Sequence, residues 1–83
     1  MRKLVEETRI ERAKSMGLHD IEQAVAEGCT VVYVLNTGNK YQAKPWFFEA
    51  EDGYFCSCRV AGMSVDSEDK QEVIDFLLKS TGN

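Results

Sequence analysis

A single histidine, a single proline and an odd number of cysteines leave this sequence short of the groups on which most metal and nucleophilic chemistry depends. Cys29, Cys56, Cys58 and His19 make up its entire thiol and imidazole inventory. Cys56 and Cys58 are separated by one residue, whereas zinc knuckles place two to four residues between ligands. On a strand, alternate side chains point the same way about 6.5–7 Å apart, so these two are read as packed core thiols. A cysteine nucleophile needs a histidine beside it and a third group to orient that histidine, and no motif supplies either. The sequence therefore assigns no catalytic residue, no metal ligand and no cofactor, and the expectation is a protein that is not an enzyme.

Long apolar runs are also missing. No stretch approaches the ~18 residues of a membrane span, and the opening Met1-Arg2-Lys3-Leu4-Val5-Glu6-Glu7 turns acidic where an export signal needs an apolar core. Three cysteines suit a reducing compartment better than a disulfide framework, so a cytoplasmic location without membrane contact is expected. At 83 residues the chain has room for one modest core, burying roughly 60–65% of its unfolded surface. Residues 1–83 are accordingly read as one small α+β domain, with an amino-terminal helix over 1–16 at its periphery.

Positive charge is scarce outside the first fourteen residues. Those residues carry five cations and three acids, while the rest carries five cations and eleven acids, for a net charge of −4 overall. Phosphate neutralisation supplies most non-specific nucleic-acid affinity, so the acidic body argues against direct DNA or RNA binding.

What is present reads as a sheet. Thr37-Gly38-Asn39 and Glu51-Asp52-Gly53 punctuate three apolar, aromatic and β-branched runs, which predicts two hairpins and a three-stranded antiparallel sheet. Ahead of it, a Glu-, Arg- and Lys-rich helix stops at Met16-Gly17-Leu18, with Leu18 folding back on Ala13. A short helix follows, with an Asp20 cap, Gln23 as its capping-box partner, an apolar stripe of Ile21, Ala24 and Val25, and Gly28 at its end. The second of these helices carries Glu22 and Glu27 and no cation, which makes the pair a helical hairpin and not a DNA-reading motif. A carboxy-terminal helix is expected with Asp66 as cap, Asp69 at its third position, a stripe of Val73, Ile74, Leu77 and Leu78, and Gly82 at its end. The predicted order is α-α-β-β-β-α. Pro45 suits an edge strand or a bulge, so strand order stays open.

A three-residue Glu51-Asp52-Gly53 loop pairs Ala50 with Tyr54 and collects Trp46, Phe48, Ala50, Tyr54, Cys56, Cys58 and Val60 on one face. That face is assigned to the core, against the carboxy-terminal helix. The other face holds Phe47, Glu49, Phe55, Ser57 and Arg59, and the strand Thr30 to Leu35 is apolar on both sides. Two covers fit the second face: the amino-terminal helices, or a partner or second copy of the chain.

The succession of helix, three antiparallel strands and helix resembles the double-stranded-RNA-binding domain in topology over most of the chain. That family's basic cluster at the start of the last helix falls here on Ser67-Glu68-Asp69-Lys70, one cation among acids, so the resemblance implies topology and no RNA binding.

These features point to a small acidic binding protein. Candidate partner-binding residues are Phe47, Glu49, Glu51, Asp52, Phe55 and Arg59, with the acidic hairpin tip and the aromatics occupying a basic, nucleic-acid-handling surface of a larger protein. Inhibitors carried by phages and mobile elements, anti-CRISPR proteins among them, share this size and charge as a class. A homodimer formed through the second sheet face is the main alternative, and an immunity or antitoxin protein a minor one.

Overall fold

In a computed structural model, described for residues 5–18, 20–36, 44–60 and 62–80, the chain is an α+β fold built on an antiparallel sheet. Among the described residues the sheet has five strands, not three. β1 (Val5–Arg9) leads into α1 (Ile10–Ser15) and α2 (Ile21–Ala26); then come β2 (Val31–Leu35), β3 (Trp46–Glu49), β4 (Phe55–Ser57), β5 (Asp66–Ser67) and α3 (Lys70–Ser80). The strands lie in the order β1-β2-β3-β4-β5, every neighbour antiparallel.

The extra strands replace residues read as helix and as helix cap. Val5 to Arg9 is rich in helix formers, yet all five residues pair with β2, from Val5 opposite Leu35 to Arg9 opposite Val31. Pairing satisfies the backbone groups along one edge of the apolar β2 and buries Thr8, which outweighs the weak helical preference of Glu and Arg. The first helix therefore starts at Ile10. Asp66, read as the cap of the last helix, pairs with Cys56 in β5 instead. Asp69 caps α3: its Oδ1 accepts the Gln71 N–H at 3.0 Å and its carbonyl accepts the Glu72 N–H at 3.1 Å.

Both glycine stops hold. Gly17 (φ 70°) and Gly28 (φ 80°) sit in the left-handed region after α1 and α2. In each case the next residue's N–H returns to the start of the last turn, Leu18 to Ala13 and Cys29 to Ala24, the paired-bond pattern of a Schellman motif. The Asp20 capping box does not form. Asp20 is itself left-handed (φ 58°), its side chain caps nothing, and its carbonyl takes the Gln23 and Ala24 N–H groups. Val25 is 51% exposed, so the buried stripe of α2 is Ile21 and Ala24 alone.

The second hairpin has the expected register. Phe47 faces Ser57, Phe48 faces Cys56, and the Ala50 N–H donates to the Tyr54 carbonyl at 2.8 Å across a turn closed by left-handed Gly53 (φ 89°). β3 is the central strand. Pro45 stands just before it, where no ladder N–H is required, and its carbonyl accepts the Leu35 N–H at 2.9 Å; the edge-strand reading is corrected accordingly. Thr37, Gly38 and Asn39, read as the first turn, lie outside the described residues, as do His19 and Gly82.

The carboxy-terminal helix sits on the side opposite to the one read from the sequence, and the amino-terminal helices, one of the two covers considered for the face of Phe47, lie on the face of Cys56. The ends of α2 reach the face of Cys56 and Cys58: Asp20 acts electrostatically on the Cys58 thiol and Glu27 on Cys56. Ile10, Ala13, Ile21 and Ala24 thus join Val32, Val34, Trp46 and Phe48 in the core. On the other face Lys70, the first residue of α3, lies over the Tyr33 ring, and Tyr33 stacks on Phe47. Val73 and Leu77 of α3 are fully buried, with Ile74, Phe76 and Leu78 packed partly against the core. Alternation along β3 and β4 defines two apolar faces without specifying which helix covers which.

Candidate functional site

The six candidate residues divide among three places. Phe47 is 0% exposed, stacked on Tyr33 at 5.0 Å between ring centroids and edge-on to Phe55 at 6.0 Å, so it is core and not an open anchor. Phe55 is half-buried. Glu49 is exposed on the face of Phe47 and Tyr33. Glu51 and Asp52 form the exposed hairpin tip. Arg59 is exposed two residues past the end of β4, at the end of the hairpin away from its turn. The tip is therefore not joined to Arg59, and Glu49 turns to the opposite side of the sheet.

Other acids join the tip in its place. Glu51 rests against Gly28, at the end of α2: a β-carbon added at Gly28 would come within 2.7 Å of Glu51 Oε1. Glu27 precedes that glycine. Asp66 lies directly opposite Cys56 in the β4–β5 ladder, and Glu68 lies beside Tyr54, which is 39% exposed. Asp52 Oδ1 accepts the Tyr54 N–H at 3.1 Å and fixes the tip beside it. Five carboxylates from three stretches of chain thus gather at one end of the fold: Glu27, Asp52 and Asp66 act on Cys56, Glu68 and Asp52 on Tyr54, and Glu51 lies beside Gly28. In the sequence, Asp66 reads as the cap of the last helix and Glu68 falls in the acidic stretch at its start. Their link to Glu27 depends on the β5 pairing, which two residues of strand do not announce.

The titration of the central side chains records the same field. Burial first, then the charges of Asp66, Glu27 and Asp52, push the Cys56 thiol up to about 11. Glu68 raises Tyr54, chiefly by its charge. Burial raises Cys58, whose Sγ accepts the Trp46 N–H at 3.4 Å, and Cys29 donates its thiol proton to the Val31 carbonyl. Among the described residues no group of three or more His, Cys, Asp and Glu is placed to hold a metal ion.

The Cys56 field has a measurable consequence. Raising the thiol from 9.0 to about 11 leaves about a hundredth of the usual thiolate at pH 8. The more basic thiolate is intrinsically about ten times the better nucleophile, which recovers part of that loss. Cys56 should then react with an aromatic disulfide reagent about 10-fold more slowly than an unperturbed cysteine, and buried Cys29 and Cys58 only on unfolding. A rate for Cys56 equal to that of free cysteine would show that neither burial nor the neighbouring carboxylates hold its proton.

The chain matches no protein-family model, no curated protein and no solved structure.

Proposed function

We propose that the protein acts by binding, presenting the acidic end around Tyr54 to a basic, nucleic-acid-handling surface of a larger protein and so blocking it. The observation that carries this reading is an acidic end assembled from three stretches of chain, in which Asp66, Glu27 and Asp52 act on Cys56, Glu68 and Asp52 act on the neighbouring exposed Tyr54, and Glu51 rests against the glycine that follows Glu27. Like charges gathered in a fold repel one another and cost stability, and an ordinary solvated turn has no need of them. Opposite a basic groove the same charges steer association and displace the groove's nucleic acid, while Tyr54 supplies an amphipathic anchor. Thiols held in their protonated form support binding over catalysis. The function is that of an inhibitor, of the kind that phages and mobile elements direct against nucleic-acid-handling defence systems.

Affinity capture from the native host identifies the partner, and neutralisation then tests the site. The triple variant Glu27→Gln, Asp66→Asn, Glu68→Gln should slow association several-fold at low salt and leave dissociation nearly unchanged. The matched triple Glu6→Gln, Glu11→Gln, Glu22→Gln removes the same charge from exposed positions elsewhere and should have little effect. Equal slowing by both triples would mean that net charge, and not this surface, does the steering.

A further inference from the structure

On the sheet face opposite Cys56, Tyr33 lies directly across from Glu7 of β1 on one side and from Phe47 of β3 on the other. Glu49, two residues along β3 from Phe47, shares this face. Phe47 and Phe55 hold the Tyr33 ring, one stacked at 16° and the other edge-on with centroids 6.2 Å apart. Lys70 Nζ sits 4.7 Å above its centroid. A clamped ring with a carboxylate on either side is the chemistry that recognises an ammonium or guanidinium group. Lys70 stands immediately after the Asp69 cap, at the positive end of the α3 dipole, where a cation is disfavoured unless something else holds it.

We propose that the Tyr33 ring, with Glu7 and Glu49 beside it, is a second recognition site that takes an arginine or lysine side chain of the basic partner, and that Lys70 is its built-in occupant. This rests on the reading of the partner as basic. It gives Glu49, which the fold separates from Glu51 and Asp52, a separate role. Arg9 lies on the same face opposite Val31, so Glu7, Glu49, Arg9 and Lys70 balance one another. Moving Lys70 aside leaves one negative charge for the incoming cation. The raised titration of Tyr33, caused by burial and then by Glu49 and Glu7, agrees with that placement.

The test uses a short oligo-arginine peptide as probe, with the Tyr33 ring protons and the tip amides followed by NMR. An exposed cation–ring contact has the strength to make Lys70→Ala bind the peptide about 2- to 5-fold more tightly than the unaltered protein. Lys79→Ala removes the same charge at the far end of α3 and should not match that gain; adding Glu49→Gln to Lys70→Ala should cancel it. Tyr33 ring shifts on titration are required. A Lys70→Ala gain no larger than that of Lys79→Ala, or a silent Tyr33 ring while the tip amides move, would overturn the site. A responding ring with silent tip amides would uphold the site and remove the acidic end as a contact.

Discussion

Phe47→Ala is expected to lower stability by about 3–5 kcal/mol, the range for deleting a fully buried aromatic ring and leaving a cavity. An 83-residue domain has roughly 4–12 kcal/mol in total, so the variant stands near the limit of folding. The ring lies on the central strand with no exposed surface, packed against Tyr33 and Phe55 on the face where Lys70 of α3 covers Tyr33. Its removal strips the ring contacts of two flanking strands together. Thermal unfolding followed by circular dichroism should show a fall of at least about 12 °C, since 1 kcal/mol moves a domain of this size by about 4–8 °C. Phe55→Ala, at a half-buried ring, should cost about half as much. A Phe47→Ala variant within about 1 kcal/mol of the parent would mean that α3 does not cover this face and that the ring is open to a partner or second copy.

The parts of this architecture legible in the sequence are those set by local geometry. Gly17 and Gly28 end short helices because the positive φ of each stop suits glycine best. The register of the second hairpin follows from Gly53 and from the separation of Trp46 and Phe48 from Phe47, since any slip by one residue mixes the two sets. The α3 stripe likewise follows from the spacing of Val73, Ile74, Leu77 and Leu78.

The parts that were not legible depend on partners distant in sequence. Val5 to Arg9 has the composition of a helix and becomes a strand because β2 offers it an open edge. Asp66 has the look of a cap and becomes a strand residue because Cys56 lies opposite. Serine completes that change: Ser57 Oγ accepts the Val65 N–H at 2.8 Å, and the Ser57 N–H donates to the Val65 carbonyl at 3.0 Å, which draws residues 65–67 onto β4. The candidate site shows the same division. Glu51 and Asp52 are recognisable from the turn they occupy, whereas Glu27, Tyr54 and Glu68 belong with them only once α2, β4 and β5 are assembled. Phe47 was misplaced because alternation distinguishes the two faces of a sheet without stating which is covered.

Reversing the tip, Glu51→Lys with Asp52→Lys, is the most direct test of the central claim that the acidic end meets a basic surface. The change takes the net charge from −4 to neutral and puts two cations at the exposed hairpin tip of the acidic end. Electrostatic steering changes association rates by about 10- to 1,000-fold, so the identified partner should be bound at least about 10-fold more slowly at low salt. The deficit should shrink as salt shortens the screening length from ~10 Å toward ~3 Å. Dissociation should change far less, since Tyr54 and the backbone of the turn remain. The fold should tolerate the reversal: Gly53 and the Ala50–Tyr54 bond keep the turn, and loss of the Asp52 acceptor for the Tyr54 N–H costs about 1 kcal/mol. The measurement is the association rate of the reversed and parent proteins with that partner across a salt series. A gap of tenfold or more that closes with salt is predicted; equal rates at low salt, with circular dichroism unchanged, would contradict the account.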